Sequence, residues 1–341
     1  MPKIGYVLRT AKSMNISKML GKVKETSAKS GKLKIIVFFD MIYCGFRYQA
    51  GYMDYALFEM YSKNKKQRLS TMTRGKNNRY VSALNDRSAR SIFENKIEFH
   101  KAFSGYTKRG WLDLSTAGYE EFEAFIDTYG DIIVKPPEGI HGDGISRLSR
   151  GTISDRRALY DDLIRSGQTL CEELVVQHDD LNRVYPGSVN TVRMVTILTD
   201  KGAELVAAMH RIGSEGSAVD NFNNGGMVVP VNVSDGVVYM KAIDKAGRVY
   251  EKHPSTGEDI TGMKIPLWDE CLAFVKDAST VVPQVRYVGW DVAVTPNGPL
   301  LIEGNWYPGH DIYGLPPHTP DGVGVLPTFE AVIPLKSLKD V

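Results

Sequence analysis

The residues with the clearest potential for chemistry lie near the carboxyl end of the sequence, in VGWDVAVTPNGPLLIEGN (288–305). Apolar and polar residues alternate there, which predicts two short strands joined by a turn at PNGP. Asp291 would then lie opposite Glu303, with Asn305 on the same face. Two neighbouring carboxylates repel each other unless a cation binds between them, and carboxylate and amide oxygens suit Mg²⁺. The alternative is a hairpin whose acidic side chains face water.

A second candidate is the segment DIIVKPPEGIHGDGIS (131–146), which reads as a short strand followed by a glycine-rich loop containing Gly142 and Gly144. Glycine permits close approach and positive φ, so the backbone N–H groups of such a loop can surround phosphate oxygens. Lys135, at the end of the strand, would add a positive charge. The segment is neither a Walker A sequence nor a Rossmann fingerprint. A plain surface loop is the alternative.

Acidic residues end the next predicted strand, TLCEELVV (169–176). An extended edge with free backbone donors and acceptors beside Glu172 would accept an adenine ring, with Asp179 near a ribose. The alternative is that Glu172 and Glu173 face solvent.

Two arginines occupy polar positions in the following pair of predicted strands, 188–198 and 203–212. Arg193 and Arg211 would stabilise a transferring phosphoryl group if they faced a phosphate site, although surface arginines are common on strands. The polar segment DNFNNGG comes next and is either a substrate loop or an ordinary turn; its candidate residues are Asn221, Gly225 and Gly226.

Composition sets the broad class of the protein. A chain of 341 residues with 43% hydrophobic and 24% charged residues should form roughly two soluble domains. A net charge of +2 gives no general case for nucleic-acid binding. Three widely spaced cysteines suit a reducing compartment. No signal-peptide core and no apolar run near the ~18 residues of a membrane span is evident, so we expect a cytoplasmic protein.

The first third of the sequence predicts a mainly helical region to about residue 95, although 35–44 would also suit a buried strand. Its first 34 residues form an arm in which nine Lys and Arg residues are opposed only by Glu25. Such an arm would touch an anionic membrane surface or a polyanionic substrate, or it would be a solvated helical face.

The order of these parts resembles the ATP-grasp superfamily: a strand ending in lysine, a glycine loop, an acidic strand, arginine strands, an Asn-Gly-Gly loop and a final Asp…Glu-x-Asn. The sequence looks most like the sugar-transfer associated ATP-grasp family, and the resemblance runs from about residue 54 to 317. It is clearest in the segments IIVKPPEGIHGDGI, SVNTVRMVT, VDNFNNGG and VGWDVAVTPNGPLLIEGN. The resemblance implies an α+β ATP-grasp fold whose two subdomains enclose ATP. We expect a helical region at 1–95, subdomains at 96–170 and 171–320, and a tail at 321–341.

The resemblance also implies roles for individual residues. Those expected to bind ATP are Lys135 and the loop glycines at its phosphates, Glu172 to Val175 at adenine, and a further lysine, Lys96 or Lys101, of which we favour Lys101. The expected Mg²⁺ ligands are Asp291, Glu303 and Asn305, and the arginines near the transferred phosphoryl group are Arg193 and Arg211. His141 joins Asn221, Gly225 and Gly226 as a candidate for substrate contact.

The implied activity is that of an ATP-dependent carboxylate–amine ligase that forms an amide through an acylphosphate. Its small-molecule substrates would include a sugar-linked carboxylate or amine and an amino acid, in polysaccharide biosynthesis. The alternatives are a small-molecule or sugar kinase that uses the same ATP site, and a non-catalytic protein that binds nucleotide or polysaccharide.

Overall fold

The structure is a computed structural model that describes residues 15–139, 144–216 and 220–338. Two compact units make up the chain: the first combines the residues up to Asn85 with those from Gly309 onward, and the second spans Asp86–Pro308. These limits differ from the predicted ones near residues 95 and 320. His141 and Gly142 lie outside the described residues.

Short helices build the amino-terminal part of the first unit, as predicted. α2 includes the segment that also suited a strand; it is helical because Val37, Met41, Cys44 and Tyr48 recur at helical spacing and are all buried. Helices α1 and α2 are separated by Gly31, which ends α1 with a φ of 70°. The helices are α1 (Ile16–Ser30), α2 (Lys34–Tyr48), α3 (Tyr52–Leu57), α4 (Lys65–Ser70) and α5 (Arg74–Leu84).

Three short helices open the second unit and supply aromatic residues to its core: α6 (Arg90–Glu94), α7 (Lys96–Ala102) and α8 (Ser104–Thr107). Phe93 and Phe103 lie against Trp290, with ring centroids 6.1 and 5.4 Å away. The Trp290 indole also donates a hydrogen bond to Thr196. These contacts fix the three helices on the apolar face of the larger sheet.

A four-stranded antiparallel sheet with the order β1-β4-β2-β3 follows. Its strands are β1 (Trp111–Asp113), β2 (Ile132–Lys135), β3 (Ser146–Leu148) and β4 (Leu170–Glu173). Helices α9 (Tyr119–Tyr129) and α10 (Arg156–Ser166) cover one side through Phe122, Ile126 and Leu163. Because β4 pairs with both β1 and β2, this sheet continues to Glu173, beyond the predicted division after residue 170.

The larger sheet has seven antiparallel strands in the order β11-β10-β5-β6-β7-β8-β9. Before β8, Val237 and Val238 form only single bridges. Helix α11 (Asp179–Val184) precedes the sheet, and α12 (Trp268–Ala278) packs on it. The strands are β5 (Val192–Thr199), β6 (Gly202–Ile212), β7 (Met227–Pro230), β8 (Ala242–Asp244), β9 (Val249–Tyr250), β10 (Tyr287–Thr295) and β11 (Gly298–Asn305).

The carboxyl-terminal segment belongs to the first unit through its contacts with α5. Helix α13 (Leu326–Val332) places Phe329 against Tyr80, whose hydroxyl donates to the Ile333 carbonyl at 2.8 Å. Arg79 donates to the carbonyl of Leu335. These contacts explain why the described residues of the segment 321–341, predicted as a separate tail, form part of the helical unit.

We predict that Phe122→Ala lowers the free energy of unfolding by roughly 3–5 kcal/mol, because Phe122 is fully buried under the smaller sheet. The matched control is Phe39→Ala: Phe39 is 61% exposed, so its loss should change stability by less than about 0.5 kcal/mol. Urea unfolding of both variants measures the difference. Equal losses would contradict the packing described for α9.

Candidate active site

Asp291 and Glu303 face each other directly across β10 and β11, which confirms the predicted pairing. Asn305 pairs with Gly289 two residues further along, so all three predicted metal ligands lie on one face of the sheet. The amide nitrogen of Asn305 donates to Glu303 Oε1 and to the Gly289 carbonyl, both at 3.3 Å. Since the nitrogen makes both bonds, the amide oxygen is left as a potential cation ligand.

Two arginines neutralise Asp291. Arg193 pairs with it across β5 and β10 and donates to both of its carboxylate oxygens, with a distance of 3.0 Å from Nη2 to Oδ2. Arg211 donates to Asp291 Oδ2 at 2.8 Å and, through its other terminal nitrogen, to Asp220 Oδ1 at 2.9 Å. Burial alone would raise the pKa of Asp291, but the two guanidinium groups hold it well below its ordinary value.

Asp220 ends this row of charges. Its second carboxylate oxygen accepts hydrogen bonds from the Thr191 backbone N–H, at 2.8 Å, and from the Thr191 hydroxyl. Burial raises the pKa of Asp220, although Arg211 opposes the shift. Across the sheet face, the order is therefore acid, acid, arginine, arginine, acid.

Glu303 is the poorly compensated member of the row. Burial and the neighbouring Asp291 both raise its pKa, because Arg193 and Arg211 bond to Asp291 instead. A divalent cation between the two carboxylates would remove this repulsion, and the available oxygens are of the type that Mg²⁺ accepts. The residues therefore fit the ion. Among the described residues, no group of three or more His, Cys, Asp and Glu side chains is placed to hold a metal, so Asn305 is needed to complete the set.

A second charged cluster lies under the smaller sheet, around Glu172. Lys135 reaches one carboxylate oxygen of Glu172 at 2.7 Å, and Arg109 and His100 reach the other at 2.9 and 2.5 Å. Burial lowers the pKa of His100, although Glu172 opposes the shift. Arg109 and Lys135 hold the pKa of Glu172 well below its ordinary value despite complete burial. Glu172 therefore fixes the position of the lysine predicted to meet phosphates.

This arrangement corrects the predicted role of Glu172 at an open strand edge. Its backbone pairs with Trp111 on one side and Ile133 on the other, so neither its backbone nor its side chain is available to a base. The solvent-facing alternative is also wrong for Glu172. Glu173 is likewise engaged, since its carboxylate accepts the Gly110 N–H at 2.9 Å. The open backbone begins only after the strand ends, near the half-buried Val175 and the exposed Asp179.

Lys96, and not the favoured Lys101, interacts electrostatically with charged groups of both clusters. The Lys96 ammonium donates to the Gly139 carbonyl at 3.1 Å, and its pKa is lowered by burial and by Lys135, while Glu303 and Glu172 oppose the shift. Lys101 instead pairs with Glu98 at 2.9 Å on the exposed side of α7. Lys96, with its lowered pKa, and the neighbouring Lys135 form a site that an anion would stabilise.

Local backbone geometry explains why glycine occupies these positions in the two predicted loops. Gly144 has a φ of 75°, and a Cβ there would lie 3.1 Å from Pro136. Gly225 has a φ of 95°, and a Cβ on Gly226 would lie 2.4 Å from the Asp220 carbonyl oxygen. The Asn221 side chain caps the turn by accepting the Asn223 N–H. This loop follows Asp220 directly, which brings it beside the arginine row.

Sequence reasoning missed Arg109, His100 and Asp220. His100 and Arg109 act through a partner distant in sequence, since they lie 72 and 63 residues from Glu172, and neither stands in a recognisable local pattern. Asp220 lies at the start of the polar loop already singled out, and its carboxylate was the signal that could have been used.

Comparison with known families decides the assignment: residues 75–319 match the family described as sugar-transfer associated ATP-grasp. The chain belongs to this family. The resemblance seen in the motifs is thus confirmed, together with the α+β class, the helical amino-terminal region, and ATP as the nucleotide of the family. No curated protein matches the sequence.

Several solved structures are distantly similar. The ATP-grasp ligase PsnB, complexed with a precursor variant, Mg and ADP, is 16% identical over 74% of this chain and 61% of its own, with a TM-score of 0.43. The D-cycloserine synthetase DcsG is 10% identical, covering 75% and 74%, with a TM-score of 0.44. D-alanyl-alanine synthetase A from Vibrio cholerae O1 biovar eltor is 13% identical, covering 73% and 66%, with a TM-score of 0.43. Likeness at this level carries no argument about substrates.

We predict that Glu172→Gln lowers the free energy of unfolding at neutral pH by about 3–5 kcal/mol, because it leaves the buried Lys135 and Arg109 without a counter-charge. Glu173→Gln is the matched control, since it weakens only one hydrogen bond and should cost about 1 kcal/mol.

The pH dependence should differ as well. A carboxylate with a lowered pKa in the folded state stabilises the protein above its unfolded pKa, and this stabilisation is lost as the pH falls through the folded value. Wild-type stability should therefore decline below pH 4.5, the ordinary value for Glu172, and the decline should be shallower in Glu172→Gln. Identical urea and pH profiles for the Glu172 and Glu173 variants would contradict the proposed cluster.

Proposed function

We propose that this protein is an ATP-dependent carboxylate–amine ligase. The observation that carries the proposal is the facing pair Asp291 and Glu303 beside Arg193 and Arg211, in the same compact unit as the Lys96 and Lys135 cluster. Acidic metal ligands, phosphate-binding lysines and arginines for a transferring group are the parts that phosphoryl transfer requires.

The residues divide into three roles. Lys96 and Lys135 bind phosphate oxygens of ATP, and the glycine loop that includes Gly144 lies over them. Asp291, Glu303 and Asn305 would hold Mg²⁺, which would neutralise phosphate charge and align the reacting groups. Adenine binds at the backbone near Val175, beyond the end of β4.

Arg193 and Arg211 bind the phosphoryl group that is transferred. Both donate hydrogen bonds to Asp291, and both Asp291 oxygens accept them. If Asp291 also held the metal ion, its bonds to the arginines would weaken and the guanidinium groups would become available to phosphate. The same carboxylate would then couple metal binding to arginine placement.

The reaction has two steps. A carboxylate oxygen of the acceptor attacks the γ-phosphorus, the bond to the β–γ bridging oxygen breaks, and ADP leaves. An amine then attacks the acyl carbon of the resulting acylphosphate; inorganic phosphate leaves and the nitrogen loses a proton, which yields an amide. The chain's contribution is positioning and charge stabilisation, and no side-chain nucleophile is required.

We further propose that one substrate is linked to a sugar, so that an amino acid is joined to a carboxylate or amine of a polysaccharide or its precursor. The description of the family, which associates it with sugar transfer, supports this. The Asn221, Gly225 and Gly226 turn beside Asp220 is the proposed substrate contact, and His141 is a further candidate.

The function is tested by trapping the acylphosphate. The protein is incubated with Mg²⁺, ATP, hydroxylamine and a panel of uronic and amino acids; we predict formation of a hydroxamate together with ADP. Glu303→Gln should lower the rate at least about a hundredfold because it removes a metal ligand. Glu258→Gln, at an exposed site, is the control and should leave it unchanged. A stable phosphomonoester in place of hydroxamate would identify a kinase, and ATP binding without turnover of any acceptor would favour a binding protein.

The two lysines give a separate prediction about nucleotide binding. Lys96→Ala should weaken ATP binding about tenfold or more, because a partly buried ammonium near Lys135 is lost. Lys101→Ala removes the same group from an exposed pair five residues away on the same helix and should change affinity less than about twofold. Calorimetric titration with ATP and Mg²⁺ measures both. A larger effect at Lys101 would restore the expectation drawn from the sequence.

A further inference from the structure

Helix α2 carries a second apolar face that the folded unit does not use. Its inward residues Val37, Met41, Cys44 and Tyr48 are buried. On the opposite side lies a stripe of large hydrophobic residues that are about half exposed or more, which we call the α2 stripe: Ile35 (58%), Ile36 (53%), Phe39 (61%), Tyr43 (51%) and Phe46 (49%).

The spacing of the α2 stripe shows that it is one continuous surface. At 100° per residue, positions 35, 36, 39, 43 and 46 fall within about a third of the helix circumference, centred opposite the buried face. A helix that is apolar on both sides is normally covered on both sides, and an exposed apolar patch of this kind marks an interaction surface.

Positive charge predominates in the two helices that include the α2 stripe. The segment 16–48 contains seven Lys and Arg residues against two acidic residues. Both acids are already paired within the unit, Glu25 with Lys22 at 2.6 Å and Asp40 with Arg68 at 2.6 Å. Lys18, Lys24 and Lys34 are exposed. Helices α1 and α2 therefore combine exposed aromatic and aliphatic side chains with exposed lysines.

We infer that α1 and α2 dock on an anionic lipid surface, with the α2 stripe inserted at the level of the headgroups. Aromatic and aliphatic residues beside lysines are the composition of interfacial helices that bind anionic membranes. The 15 residues of α2 give a length of about 22 Å along the membrane plane. No helix in the described part of the chain is long and apolar enough to cross a membrane. A second copy of the chain fits less well, because two such basic surfaces would repel each other.

The inference does not depend on the proposed function. It rests on the first unit, whereas the charged clusters lie in the second. Vesicle binding and nucleotide binding are therefore separate measurements, and failure of one leaves the other interpretable.

The experiment measures co-sedimentation of the full-length protein with vesicles of phosphatidylcholine containing about 30% phosphatidylserine, and with phosphatidylcholine alone. We expect binding to the anionic vesicles only. Phe39→Ser with Phe46→Ser should weaken it at least about tenfold, and so should the triple change of Lys18, Lys24 and Lys34 to Glu.

Matched controls carry the same changes at exposed positions elsewhere: Tyr239→Ser with Val249→Ser, and Lys201, Lys245 and Lys264 to Glu. Both should retain wild-type binding, and circular dichroism checks that every variant is folded. The proposal is overturned if anionic vesicles are not bound, if both lipid compositions bind equally, or if the controls lose binding as strongly. Sedimentation velocity is run in parallel; a dimer that becomes a monomer in Phe39→Ser with Phe46→Ser, without vesicle binding, would assign the stripe to a second copy.

Discussion

Compensation of buried charge is the constraint on which the site depends. Asp291 is almost fully enclosed, and a carboxylate in that position is stable only because two guanidinium groups meet it. The antiparallel register supplies them, since β10 lies between β5 and β11 and places Arg193 and Glu303 on either side of Asp291. A shift of one residue in either strand would turn these side chains to the apolar face that Trp290 occupies. The packing of Trp290 against Phe93 and Phe103 therefore also secures the positions of the charged groups.

In the smaller sheet, buried charge is also compensated, but the excess charge has the opposite sign. There a single carboxylate, Glu172, is surrounded by Lys135, Arg109 and His100, and the surplus charge is positive. β4 is central because its backbone pairs with two neighbours, so Glu172 is a fixed point that holds the side chain of Lys135. Under the proposed function, a lysine held in this way would lose little conformational entropy on meeting a phosphate, so the cluster would contribute to preorganisation of the site as well as to stability.

Features that depend on contacts between residues close in sequence could be predicted, whereas features that depend on contacts between distant residues could not. The pairing of Asp291 with Glu303 could be predicted because a short turn fixes the register of a hairpin, and the helical amino-terminal region because its apolar spacing is local. The role of Glu172 could not, because it depends on strands and a helix that approach from distant parts of the chain. The choice between Lys96 and Lys101 turned on the helical register of α7, which its seven residues do not reveal. Similarly, the joining of residues from Gly309 onward to the first unit depends on long-range contacts such as that of Tyr80 with Ile333.

Each cluster contains a group whose buried charge is not fully compensated, and the two charges have opposite signs. This indicates the kind of ligand that would compensate both. At the larger sheet, Glu303 gains a raised pKa because it lies beside Asp291 with too little positive charge. At the smaller sheet, Lys96 has a lowered pKa because it lies in a partly buried position near Lys135. A cation alone would relieve the first conflict and an anion alone the second. Under the proposed function, a triphosphate that carries its own divalent ion would bring both charges at a fixed separation, so each half of the ligand would stabilise the half of the site that the other cannot.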